Sequence, residues 1–399
     1  MKRIVIFTVL ICFFVVAQAG AEDSSSASEK LKDMEDKIEM MAEMLDNFDP
    51  AKQEAGGNKT TLGGYGEMHY NNLKNGKTGG SDKKELDFHR FIYYVGHEFS
   101  DKIRFFSEVE LEHSLVGGGT ATTCSSSDAL DCETGKDGKP GEVEVEQAYI
   151  EFAVADNYSI KGGLFMIPVG ILNDTHEPPT FYGVERNVVE KYIVPATWWE
   201  GGVSLAGEIG AGLKFDLAYT SGLNNSDYKI RSGRQKVAEA KAEDFAYTGR
   251  LKWTGIPGVE VAGTLQYQEN ITQGVDPDAS ATLFEVHTDI DKGPFGLRAL
   301  YAVWNVDGNG AKAAGRDELR GWYVEPSFKV IEELGLFARY NMWDEQAGDS
   351  SDSEYTMVQV GLNYWPHEDV VVKLDYQSQD VPIAKNDYDG FNVGIGYQF

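Results

Sequence analysis

From residue 62 to the C-terminus, apolar and polar positions alternate with a period of two. In "GLKFDLAYTSG", Leu213, Phe215, Leu217 and Tyr219 alternate with Lys214, Asp216, Ala218 and Thr220. In "DVVVKLDYQSQ", Val370, Val372, Leu374 and Tyr376 alternate with Val371, Lys373, Asp375 and Gln377. In an extended chain this spacing puts each set on its own face. It predicts sixteen strands, at 62–72, 85–99, 101–113, 142–154, 157–167, 200–209, 211–221, 244–254, 258–269, 281–291, 294–305, 318–330, 334–344, 353–365, 369–380 and 388–399. The connections alternate too. Long segments at 73–84, 114–141, 168–199, 222–243, 270–280, 306–317, 345–352 and 381–387 take turns with tight ones such as Ser100, Gly210, "DKG" and "PHED". An even number of strands, with long loops at one end and short turns at the other, predicts an all-β fold: a sixteen-stranded antiparallel transmembrane β-barrel. One face meets lipid and the other water, and closure leaves no backbone group unpaired in the bilayer.

Two segments break the period. In residues 28–48, Leu31, Met34, Ile38, Met41, Leu45 and Phe48 are spaced 3, 4, 3, 4, 3, a coiled-coil-like helical seam. The seam is too short to be stable alone, so it packs on its own domain or joins a small oligomeric bundle. The segment "GILNDTHEPPTFYGVERNVVEKYIVPATWWEGG" is too long for a turn and too aromatic for a linker.

Residues 1–19 read as a secretory signal: Lys2 and Arg3, an apolar run over 4–16, then Ala17-Gln18-Ala19. The run is shorter than the roughly 20 residues that a spanning helix needs. Loss of Lys2 and Arg3 takes the formal charge from -28 to -30, which argues against nucleic acid as a partner. Beyond the signal the cysteines are Cys124 and Cys132; in an oxidising compartment they form a local disulfide most simply, with two free thiols as the alternative. No accompanying histidine suggests a metal site there, and no cofactor motif is found. Enzyme motifs are also absent; His176-Glu177 reads as coincidence rather than an acid/base pair.

The final strand, "YDGFNVGIGYQF", carries Phe391, Val393, Ile395 and Tyr397 on one face and ends on Phe399. It resembles the terminal strand by which outer-membrane porins are recognised by the barrel-insertion machinery. With "LDFHRFIYYVGHEFSDKIRFFSEVELE", "EQAYIEFAVADNYSIKGGLFMIPVG" and "TWWEGGVSLAGEI", the chain is similar over 62–399 to the phosphate-selective porin O/P family. The resemblance implies a homotrimeric channel in outer-membrane lipid whose third long loop, here 168–199, folds inward as a constriction. The organisation then reads as signal peptide 1–19, periplasmic helix and linker 20–61, and barrel 62–399. An external lid, with a short helix at "VERNVVEKYI", is the alternative for the loop.

If the apolar face of each strand meets lipid, Arg90, Arg104, Lys161, Lys214, Arg250, Lys252, Arg298, Arg339 and Lys373 face the lumen. Inward bases replace the hydration of a permeating anion in channels of the family; pairing with a wall carboxylate is the plainer role for any one of them. Lumen acids include Glu108, Glu151, Asp216, Glu260, Glu285, Asp289 and Asp375. The loop carries Asp174, Glu177, Glu185 and Glu190 against Arg186 and Lys191. An acidic loop facing a basic wall predicts a transverse field, a pattern that differs from strict phosphate specificity. The expected solutes are small, polar or anionic. A non-conducting structural or adhesive barrel is the rival function.

Overall fold

In a computed structural model, residues 59–116, 120–124, 132–136, 141–382 and 385–399 are described, without side chains in 117–140. The helical seam at 28–48 lies outside these residues. The strands are β1 (Thr60–Asn75), β2 (Lys83–Ser100), β3 (Ile103–Glu112), β4 (Thr120–Cys124), β5 (Cys132–Lys136), β6 (Val143–Ala155), β7 (Tyr158–Met166), β8 (Trp199–Gly210) and β9 (Leu213–Ser221). They continue as β10 (Phe245–Ile256), β11 (Val259–Gln268), β12 (Ala281–Lys292), β13 (Phe295–Val306), β14 (Glu318–Ile331), β15 (Leu334–Asp344), β16 (Glu354–His367), β17 (Val370–Asp380) and β18 (Tyr388–Gln398). All but β4 and β5 close into one antiparallel barrel of sixteen strands, each paired with its barrel neighbours in chain order and β1 with β18. The additional hairpin β4–β5 lies in the long connection after β3, and its backbone register places Cys124 opposite Cys132. Nothing in the Ser/Thr/Gly-rich sequence there has the alternation of a half-buried strand.

The period of two has the predicted consequence. Along β17, Val372, Leu374 and Tyr376 are exposed on the outside, whereas Lys373, Asp375 and Gln377 are buried inside. The seam closes at the chain's last residue: Gly64 and Phe399 exchange backbone hydrogen bonds of 3.0 and 2.9 Å. A Cβ at Gly64 would stand 2.1 Å from the carbonyl oxygen of Ile92, so only glycine lets β1 lie this close to β2.

Part of the inner surface is apolar. Leu283, Leu300, Trp304, Leu319 and Tyr323, from β12–β14, are buried in a cluster with Val169, Ile171, Val189, Ile193 and Trp198 from the connection between β7 and β8. These strands carry apolar residues on both faces, one toward lipid and one toward this connection, which weakens their alternation. In "ALYAVWNV" of β13, Ala302, Trp304 and Val306 point inward and Tyr301 outward.

Candidate functional site

The connection 167–198 is built from its own polar side chains. Asn173 clamps its two ends: Nδ2 donates to the carbonyls of Ile167 (2.7 Å) and Trp198 (2.9 Å), and Oδ1 accepts from the Trp198 amide (2.7 Å). Asn187 caps the helix α1 (Val188–Tyr192), accepting from the amides of Val189 and Glu190 at 2.8 and 3.3 Å. Glu190, fully buried, accepts from the amides of Ile171 (2.9 Å) and Leu172 (2.6 Å) and from the Tyr323 hydroxyl (2.7 Å). Burial raises its pKa despite these donors.

Wall side chains along the arc from β13 to β2 hold the connection. Arg298 donates to the carbonyl of Thr180 (3.0 Å), Arg339 to that of Tyr182 (2.6 Å), Asn363 to that of Phe181 (2.9 Å) and Trp304 to that of Ile193 (2.8 Å). Asp375 accepts from the Val184 amide at 2.7 Å. Farther round the same arc of wall, past β18, the Tyr94 hydroxyl of β2 donates to Glu177 (3.2 Å), and His69 Nδ1 of β1 lies 3.3 Å from Glu185. With these anchors on β1, β2, β13, β15, β16 and β17, and with the Thr264 hydroxyl of β11 donating to the carbonyl of Pro168 at 3.3 Å, the connection traverses the lumen.

Most of the predicted basic residues are paired with wall carboxylates. Register is the cause: Arg250 stands opposite Asp216, Arg298 opposite Asp289 and Arg104 opposite Glu151. Arg90 bridges Glu67 (2.8 Å) and Glu110 (3.4 Å), and Arg339 pairs with Glu325. Arg250 and Lys252 also reach Asp174 on the connection, at 2.6 and 2.8 Å. Burial pushes the Asp174 carboxyl up, yet these two cations hold it below its ordinary value. Arg104, with its side chain 62% exposed, lies with Lys214 in the cavity of about 650 Å³ at the short-turn end. Lys161 lies over the Tyr149 ring at 4.7 Å. Lys373 is buried against the Phe181 ring, its Nζ 3.4 Å from the centroid and without a hydrogen-bond partner.

At the short-turn side, then, an acidic loop residue faces basic wall residues. Toward the long-loop end both signs occur on wall and loops, and the loops carry more bases than acids. A cavity of about 470 Å³ has Glu67, Glu110 and Glu144 on its wall beside Lys83 and Arg90, and Arg186, Lys191, Arg231 and Arg234 on its loops beside Glu185. Sequence reasoning missed Arg231 and Arg234. They lie in the connection 222–244, which folds onto 167–198: Arg231 donates to the carbonyls of Lys191 (2.7 Å) and Ala196 (2.9 Å), and Arg234 to those of Pro195 (3.1 Å) and Thr197. The cluster "RSGRQK" in a long loop was the available signal, but nothing in its spacing says that it turns inward. Among the described residues, none of these four loop cations has a carboxylate at ion-pair distance. Burial, and then Arg234 beside it, lower Arg231 to about 9, so that it is still charged at neutral pH. Burial also lowers Lys191, with Arg231 adding repulsion and Glu185 opposing the shift. A bound anion would relieve this crowding. The same cavity holds His69, His89 and His113; the rings of His69 and His89 stack at 4.7 Å, and Asp87 lies within 3.2 Å of both His89 and His113. Together with Glu185 these groups have the donor types of a metal site.

A closed barrel of this size, apolar outside and polar within, its lumen crossed by one long connection, is the architecture of a bacterial outer-membrane porin, a channel. The chain belongs to the phosphate-selective porin O and P family, whose sequence model matches residues 61–399. It is 27% identical over 382 residues to an uncharacterised protein of Aquifex aeolicus strain VF5, covering 85% of this chain and 80% of that one. The fold is similar to that of the outer membrane channel DcaP of Acinetobacter baumannii (TM-score 0.57, 13% identity, 85% of this chain and 97% of that chain). It is also similar to that of an anion-selective porin from Comamonas acidovorans (TM-score 0.56, 10% identity, 85% and 99%).

Proposed function

We propose that the protein is a water-filled porin for ions and small polar solutes with a preference for anions, and that 167–198 is its constriction. One observation carries the preference: Arg186, Lys191, Arg231 and Arg234 converge on one lumen cavity and, among the described residues, have no carboxylate at ion-pair distance. In a passage walled by protein, unpaired cations raise the local anion concentration, whereas the paired bases of the wall add little net field. The overall charge of -28 does not decide the sign, because selectivity follows the charges at the narrowest section. Phosphate is one candidate solute within this class.

The rest of the proposal follows the family. Three copies assemble in the outer membrane, the helix at 28–48 lies in the periplasm, Cys124 and Cys132 form a disulfide, and Phe399 serves as the insertion signal. The test of channel function is reconstitution into a planar bilayer. Discrete unitary currents support it; a structural or adhesive barrel gives none.

A further inference from the structure

Below the connection 167–198, on its short-turn side, Glu108 of β3, Glu146 of β6 and His176 of the connection meet, each at most 3% exposed. One ligand atom from each lies within 4.8 Å of the other two. The two glutamates are fully buried, and among the described residues neither has a lysine or arginine at ion-pair distance. Two desolvated carboxylates this close are costly without a cation or a shared proton between them. Their outer oxygens are held: Gln147 Nε2 donates to Glu108 Oε2 at 2.7 Å, and the Thr197 hydroxyl donates to Glu146 Oε1 at 3.0 Å. Glu146 Oε2 is buried with no hydrogen-bond partner.

We propose that Glu108, Glu146 and His176 bind one divalent first-row transition-metal ion, with Zn²⁺ as its representative, and that the ion fastens the lumen-crossing connection to the β3–β6 wall. The geometry fits. His176 Nε2 and Glu108 Oε1 are 3.3 Å apart, long for a charge-assisted hydrogen bond. It matches the edge of about 3.3–3.6 Å between two ligands with bonds of about 2.0–2.2 Å to one tetrahedral ion. Two carboxylates and an imidazole select this metal class: the imidazole disfavours Mg²⁺ and Ca²⁺, and the lack of thiolate disfavours Cu⁺. Gln147 and Thr197 are the outer-shell groups that orient the two carboxylates. Access is from the lumen, since Glu108 and His176 line a cavity of about 440 Å³ together with Asp174 and Glu177. Any remaining coordination positions would be filled by water from that side.

The test uses the full-length protein folded in detergent, stripped with chelator and crystallised with Zn²⁺. An anomalous difference peak at the zinc edge, between Glu108, Glu146 and His176, is the expected result. In solution Glu146→Gln and His176→Gln should each weaken the corresponding Zn²⁺ binding step at least about tenfold. No peak there at saturating Zn²⁺, or a peak confined to His69, His89 and His113, overturns the proposal. So does unchanged binding in both variants. The crystallographic arm uses the wild-type chain and does not depend on whether the variants fold.

Discussion

Arg231 donates to the carbonyl oxygen of Lys191 at 2.7 Å, so one cation closes the backbone of the loop that carries another. Two long connections are thereby joined inside the barrel, and their positive side chains gather in one lumen cavity. The contact sets these loop cations in a cavity whose lining also carries Glu67, Glu85, Asp87, Glu110, Glu112, Glu144 and Glu185.

The connection 167–198 both narrows the lumen and packs against it. Replacing "NDTHEPPTFYGVERNVVEKY" by a short Gly/Ser linker is expected to raise unitary conductance, because the narrowest section dominates resistance. It should also lower the thermal midpoint, since Val189 leaves the core around Trp304. Single-channel recording and thermal denaturation check the two effects.

Glu190 anchors that loop through three donors. Glu190→Ala leaves the Ile171 and Leu172 amides and the Tyr323 hydroxyl unpaired and is expected to cost at least about 3 kcal/mol. Glu190→Gln keeps acceptors for the amides. The pKa of Glu190 is raised in the fold, so its contribution is fully present below the unfolded value and is lost as pH rises through the folded one. Relative to wild type, Glu190→Gln should therefore become more stable as pH rises across that window. Melting curves from pH 4 to pH 8 would measure it, and a difference that does not change with pH would contradict it.

Trp304 tests the inner apolar core. It is 1% exposed, donates to Ile193 at 2.8 Å and stands 6.2 Å from the Trp198 ring. Trp304→Ala is expected to cost roughly 3–5 kcal/mol, and Trp304→Phe less, since most of the ring volume stays. Chemical denaturation of the folded barrel is the measurement.

Closure at Gly64 and Phe399 predicts that removing Phe399, or making Gly64→Ala, lowers the yield of folded barrel. The fraction that resists unfolding on a gel without heating reports this directly. A normal yield for both variants would show that the seam does not depend on them.

The barrel was legible because lipid on one side and water on the other impose a strict alternation, as β17 shows with Val372 and Lys373 facing opposite ways. The lumen bases were legible for the same reason. Their partners were only partly so: pairs such as Arg250 with Asp216 depend on register, which strand boundaries uncertain by a residue or two do not define. The inward apolar patch around Trp304 was hidden because both faces of β13 are apolar. Arg231 and Arg234 were hidden because a loop has no period from which a direction can be read.

The proposed anion preference rests on the loop cations that, among the described residues, have no carboxylate at ion-pair distance. Its most direct test is the reversal potential of single channels under a salt gradient at low ionic strength, for wild type and for Arg231→Glu with Arg234→Glu. Wild type is expected to reverse on the anion side, the double variant to shift toward cations, and that shift to shrink as salt rises and screening shortens the range of the charges. A cation-side reversal for wild type, or an unmoved potential in a double variant that still conducts, would contradict it.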